Sequence, residues 1–176
     1  KLLIVTNAAG SLDEDMPAGS LMTITDHINW SGFNPLIGLN DENYGPRFHD
    51  MSDGYNKFYR DQLIEVARNI NQKLFQGIYC MYSGPNFETP AEINALKVIG
   101  GNAVGMSTVP EVLVANHCSL PVVAISVITN LAAGMNKTKL SHQETLENAG
   151  LAEAKVINLI KNFIQHVKFD DSSRDN

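Results

Sequence analysis

Glu88 closes the run Gly84-Pro85-Asn86-Phe87-Glu88 and stands immediately before a helix-start signal. A carboxylate there is favoured by the partial positive charge of a helix N-terminus. It can accept hydrogen bonds from a planar N–H group while Phe87 packs on an aromatic ring. The same residue can equally be a first-turn glutamate that only complements the helix. Asn130 follows the most hydrophobic stretch of the chain. Its amide sets a donor beside an acceptor, matching one edge of a heterocycle, although a strand-end asparagine also serves as a turn former. Ser107, with Thr108, precedes a helix, where free N–H groups, the dipole and a hydroxyl suit an anion, and where serine and threonine also simply cap. Asn7-Ala8-Ala9-Gly10 follows a strand in the same way and offers backbone amides, either to an anion or to a tight turn. It lacks the G-x-x-x-x-G-K pattern of a P-loop.

Other chemistries lose support. The five histidines, His27, His49, His117, His142 and His166, form no H-E-x-x-H, and two distant cysteines give no zinc spacing, so no metal is expected. His142, one residue after a helix cap, is the histidine best placed to meet a ligand, and His166 is expected to face solvent. There is no G-x-S-x-G and no G-x-G-x-x-G, which removes the signatures of a serine hydrolase and of a dinucleotide enzyme. Acidic residues outnumber basic ones 19 to 13 and the net charge is −6, without a Lys/Arg-rich run, so nucleic acid is not an expected partner. No segment approaches the ~20 apolar residues of a membrane span. Cys80 and Cys118 lie in apolar stretches and read as reduced core thiols of a cytoplasmic protein.

These side chains need elements to hold them. At 176 residues the chain can bury a core of its own. Strand-like and helix-like segments alternate: strands at 2–6, 20–25, 77–82, 103–106 and 121–128, and helices at 52–72 with Ser52 as cap, 90–99, 109–117 and 141–167. The second helix carries a capping box, Thr89 with Glu92, and Thr108 with Glu111 repeats that signal before the third. Residues 26–50 show no period and read as a long ordered loop of functional use. Phe169–Asn176 is a polar tail expected to fray. The alternation predicts an α/β domain with the polar candidates at strand ends. Lys1-Leu2-Leu3-Ile4-Val5-Thr6 starts as a buried strand with no initiator methionine, which suggests a piece of a longer protein opening in mid-fold.

Five segments, in order, carry a resemblance: Val5-Thr6-Asn7-Ala8-Ala9-Gly10, Asp26-His27-Ile28-Asn29, Gly84-Pro85-Asn86-Phe87-Glu88-Thr89, Val104-Gly105-Met106-Ser107-Thr108-Val109-Pro110-Glu111 and Ile128-Thr129-Asn130. Together they closely resemble the trimeric, low-molecular-mass purine nucleoside phosphorylases, over the chain to about Val167. The resemblance implies a mixed central β-sheet flanked by helices in three α/β/α layers, with residues 1–168 as the C-terminal part of one such domain. It implies reversible phosphorolysis of 6-oxopurine nucleosides to free base and (deoxy)ribose 1-phosphate, with phosphate as co-substrate and no cofactor. Glu88 would hold the base N1–H edge, and Asn130 would bond N7 and the 6-oxo group as charge develops on the leaving purine. Phe87 and Val104 would line the base pocket, Met106 and Tyr79 would face the sugar, and His142 would meet its 5′-hydroxyl. Ser107 and the Ala8 amide would cradle phosphate, and Phe48 would reach a neighbouring subunit's site in a homotrimer.

Tyr82, where many members carry a small aliphatic residue, is closer to the bacterial inosine-guanosine and xanthosine branch, as is the short segment 131–139. A phenol at Tyr82 could reach the 2-oxo group of xanthine. Asn130, where methylthioadenosine phosphorylases typically carry Asp, disfavours 6-amino substrates, although that activity and a non-catalytic purine-binding homologue remain the alternatives. The family's other phosphate ligands would precede Val5, so the segment alone is expected to have negligible turnover.

Overall fold

The computed structural model describes residues 1–135 and 142–170, the side chains of residues 142–149 and 151 excepted. Among them are β1 (Leu3–Ser11), β2 (Leu21–Asn29), α1 (Lys57–Asn69), β3 (Phe75–Met81), α2 (Pro90–Val98), β4 (Ala103–Gly105), α3 (Val109–His117), β5 (Val122–Leu131) and α4 (His142–His166). The sheet is mixed and flanked by helices, as expected. It also closes on itself in the order β1-β4-β3-β2-β5, although the β1/β4 and β2/β5 seams are only two and three pairs long. β1 and β5 run one way and β2, β3 and β4 the other, which puts antiparallel seams at β1/β4 and β2/β5.

β5 shows why a continuous β-branched run forms a strand here. Its Val122, Ala124 and Ile128 join Met22, Ile24, Tyr79 and the α3 residues Val109 and Val112 in one core. The alternate residues Val123, Ile125 and Val127 meet Tyr59 and Leu63 of α1 and Leu159 and Phe163 of α4 in another. Both faces of the strand are therefore buried, and each large side chain so covered contributes roughly 1.5–3 kcal/mol. A third cluster, with Leu12, Cys80, Ile93, Leu96 and Val104, seats α2.

Several boundaries move from those expected. The Asn7-Ala8-Ala9-Gly10 segment is not a turn: it continues β1, paired residue by residue with β5 and then with β4. Residues Asp26–Asn29 belong to β2 rather than to the loop, because they pair with β3. α1 starts at Lys57, not Ser52. Ser52 gives its N–H and hydroxyl to Asp50 Oδ1 at 2.9 and 2.6 Å, and Asn56 caps the helix by accepting from Tyr59 N at 3.2 Å. The capping box of α2 forms as read, with Thr89 N donating to Glu92 at 2.7 Å. Cys80 is buried, but Cys118 is exposed, because it lies just past the end of α3. Phe169 and Asp170 dock on α1, with the Phe169 ring 6.2 Å from that of Tyr59 and Asp170 N donating to Tyr59 OH at 3.2 Å. Ser141 and residues 171–176 lie outside the described residues.

Candidate active site

The seam between β1 and β4 has only two paired positions, Gly10 with Val104 and Ser11 with Ala103. Beside this short seam lies a cavity of about 310 Å³ lined by Ala8, Ala9 and Gly10 from β1, by Val104 to Ser107 in and just after β4, by Phe87 and Glu88, and by Thr129 and Asn130. That size suits a small molecule. Seven candidates from the sequence thus line one cavity: Ala8, Phe87, Glu88, Val104, Met106, Ser107 and Asn130. They come from four separate strand ends, which is why the local sequence at each one is uninformative.

Asn130 reaches the cavity through an irregularity in the ladder. The β1/β5 register shifts between Ala9 and Gly10, so that Ala9 pairs with Ile128 and Gly10 with Asn130, leaving Thr129 as the extra residue. Such bulges re-aim side chains. Asn130 is 7% exposed. Its Oδ1 accepts from the Thr129 hydroxyl at 2.8 Å and its Nδ2 donates to Leu131 O at 2.9 Å, which fixes the amide's orientation and leaves one N–H and one lone pair for a ligand. Gly10 is required beneath it, since a Cβ there would stand 3.1 Å from Asn130 Nδ2.

Glu88 is also 7% exposed, and burial raises its carboxyl above the ordinary carboxylate range, helped by the charge of Glu92 and opposed by a backbone hydrogen bond. A buried acceptor of this kind is costly unless a donor meets it, and the cavity is where one would arrive.

Tyr79 lies under the floor rather than on the wall. It is fully buried, accepts a hydrogen bond from Ser107 N at 3.3 Å, and has its phenol pKa raised by burial. Gly105 makes room for it, because a Cβ there would collide with the Tyr79 hydroxyl. Tyr82 is half-buried just past the end of β3, in the segment leading to Glu88, and its hydroxyl accepts from Asn86 Nδ2 at 3.1 Å. Phe48 is 89% exposed in the long loop, away from the cavity within this chain. His142 is the first residue of α4, and its side chain lies outside the described residues. His166 is exposed, as expected. Among the described residues no cluster of His, Cys, Asp or Glu could hold a metal ion.

Thr108 departs from its expected role. It makes no side-chain capping bond to α3 and adopts φ 79° and ψ −48°. With Val109 N donating to Ser107 O at 2.9 Å, residues 107–109 form a γ-turn of the strained kind, which for a β-branched residue costs on the order of 1–3 kcal/mol. Its hydroxyl accepts from Asn7 Nδ2 at 2.8 Å and lies 3.1 Å from Ser107 Oγ. This pairing spans 101 residues and has no signature in the sequence. Thr129 carried a weak signal, its place next to Asn130.

Residues 1–165 match the model of the phosphorylase superfamily. The chain is 48% identical over 159 residues to purine nucleoside phosphorylase 1 of Bacillus subtilis, covering 90% of this chain and 59% of that relative. It is likewise 48% identical over 162 residues to the purine nucleoside phosphorylase of Mus musculus, covering 88% of this chain and 56% of the mouse protein. Among solved structures, the Schistosoma purine nucleoside phosphorylase in complex with guanosine superposes with a TM-score of 0.91 at 35% identity, over 97% of this chain and 64% of the other. The chain thus spans somewhat under two thirds of each relative it matches.

Proposed function

We propose, from the premise that this chain belongs to the phosphorylase superfamily and within it to the purine nucleoside phosphorylases, that its cavity serves phosphorolysis of 6-oxopurine nucleosides. The observation that carries this reading is the meeting of Glu88, Asn130 and Ser107 around one cavity. Phosphate oxygen attacks C1′ of the sugar, the C1′–N9 bond breaks, and its electron pair leaves with the purine. Ser107 and the Ala8 amide hold phosphate at the start of α3, where amides and dipole favour an anion. Glu88 accepts the N1–H of the base. Asn130 directs its remaining N–H at the edge of the base where the 6-oxo oxygen and N7 both accept. Both contacts strengthen as negative charge spreads over the leaving base, so they stabilise the transition state more than the ground state.

Phe87 and Val104 bound the base, Met106 lies toward the sugar with Tyr79 behind it, and His142 meets the 5′-hydroxyl. No cofactor enters this scheme. Phe48, projecting from the long loop, closes over the sugar of a neighbouring copy in a trimer. Two free thiols, one exposed, suit a cytoplasmic setting, and among the described residues no helix is long and apolar enough to cross a membrane.

The test is base release from inosine, guanosine, xanthosine and adenosine by the complete protein, with and without phosphate. Release from 6-oxopurine nucleosides only when phosphate is present is expected. Preference for adenosine would move the assignment to the methylthioadenosine branch, and binding without release would make the chain a purine-binding homologue. Base preference is assigned to Tyr82, whose phenol shares a hydrogen bond with Asn86 two residues before Glu88. Tyr82→Phe should lower turnover of xanthosine relative to inosine, and an unchanged ratio removes that role.

A further inference from the structure

We infer that Asn7 is a positioning residue for the anion subsite, acting through the strained turn at Thr108 to aim the Ser107 hydroxyl and the first amides of α3. The inference rests on the proposed phosphorolysis. Ser107 stands between β4 and α3, and its backbone is set by the residue that follows it. Thr108 holds φ 79°, a value a β-branched residue adopts only when its surroundings impose it. What imposes it is visible. Thr108 is 1% exposed, its hydroxyl is held by Asn7 Nδ2 at 2.8 Å, and Val109 N closes the turn onto Ser107 O at 2.9 Å. A hydroxyl can give or take this hydrogen bond, so the link survives either orientation of the amide.

Asn7 is well placed to impose this geometry. It lies inside β1, paired in register with Ser126 of β5, so its backbone is anchored in the closed sheet rather than in a loop. Ala8, the next residue, lines the same cavity as Ser107. One rigid strand therefore supplies the Ala8 side of the anion subsite and, through Asn7, sets the backbone that carries Ser107. The Asn7 side chain is absent from the cavity wall, so its influence on a ligand is indirect. Its Oδ1 is buried without a partner among the described residues, an energetic cost that a side chain serving packing alone would not need to carry.

The experiment is steady-state phosphorolysis by the complete protein, with phosphate and nucleoside varied separately. Asn7→Leu and Thr108→Val remove the link from either side, while Thr108→Ser keeps the hydroxyl. The first two should raise the KM for phosphate about tenfold, the factor controlled by one hydrogen bond of ordinary strength, with the KM for nucleoside within about twofold of wild type. Thr108→Ser should stay near wild type. Glycine takes φ 79° without strain, so adding Thr108→Gly to Asn7→Leu should recover most of the phosphate affinity. Thermal protection by inorganic phosphate alone should follow the same order, independently of turnover. The proposal is overturned if both KM values move together, if Thr108→Val and Thr108→Ser behave alike, or if neither single variant folds, since each makes the link structural only. A wild-type protein without phosphate-dependent turnover would instead refute the phosphorolysis reading itself.

Discussion

Glu88 carries opposed consequences for activity and stability because it is a carboxylate held out of water. Burial raises its pKa above that of the unfolded chain, so the folded state binds the proton more tightly. At pH above the raised value the ionised group therefore opposes folding, and that cost disappears as the pH falls through the raised value towards the ordinary one. Activity runs the other way, since a protonated Glu88 no longer accepts as a carboxylate. The acidic limb of the pH–rate profile should accordingly lie above the ordinary carboxylate range, and Glu88→Gln should abolish that limb. The same variant should lose roughly 10- to 100-fold in kcat/KM, the value of a hydrogen bond to a charged group, while its melting temperature at pH 7 stays level or rises. A variant that lost activity and stability together would mark Glu88 as structural.

At the scale of elements, the site is made by two defects in an otherwise regular sheet. The β1/β4 ladder stops after two pairs, which opens the cavity, and the β1/β5 register slips by one residue, which presents Asn130. Gly10 is common to both. Gly10→Ala would place a Cβ 3.1 Å from Asn130 Nδ2 and 3.5 Å from Ala132 Cα, so the amide must shift by a few tenths of an ångström. A loss of about tenfold in kcat/KM for nucleoside is expected, with the KM for phosphate unchanged, because the added Cβ meets Asn130 and Ala132 and not Ser107. Helix α2 is held at its start by Thr89 and Glu92, right behind Glu88. Thr89→Ala should lower unfolding free energy by about 1 kcal/mol, read from the denaturant midpoint.

For the whole molecule, closure of the sheet sorts the side chains into those shielded by helices and those left on the rim. Cys80 is sealed beneath α2, with its thiol pushed up to about 11 by burial, while Cys118 sits exposed after α3. A thiol reagent at neutral pH should therefore titrate one thiol per chain in the native protein and the second only on unfolding. Two thiols reacting at once would contradict the packing of α2.

The sequence alone determined the element types, the two-faced burial of β5, the capping box of α2, and the placing of Glu88, Asn130 and Ser107 at strand ends. Those properties depend on residues a few positions apart, through periodicity and capping, and so can be read locally. Only the tertiary structure decided that Asn7 to Gly10 is strand, that Asp26 to Asn29 extends β2, and that Cys118 faces outward. The helical period running back towards Ser52 likewise stopped at Asn56, because Asp50 and Asp53 commit the preceding residues to turns. Strand pairing joins residues far apart in the chain, and the partners decide whether a stretch such as Ala-Ala-Gly-Ser is extended. Thr108 follows the same rule most sharply. Its type predicts a cap, but a hydrogen bond from Asn7, 101 residues earlier, and a turn closed by Val109 hold it in a conformation that nothing in its own segment would select.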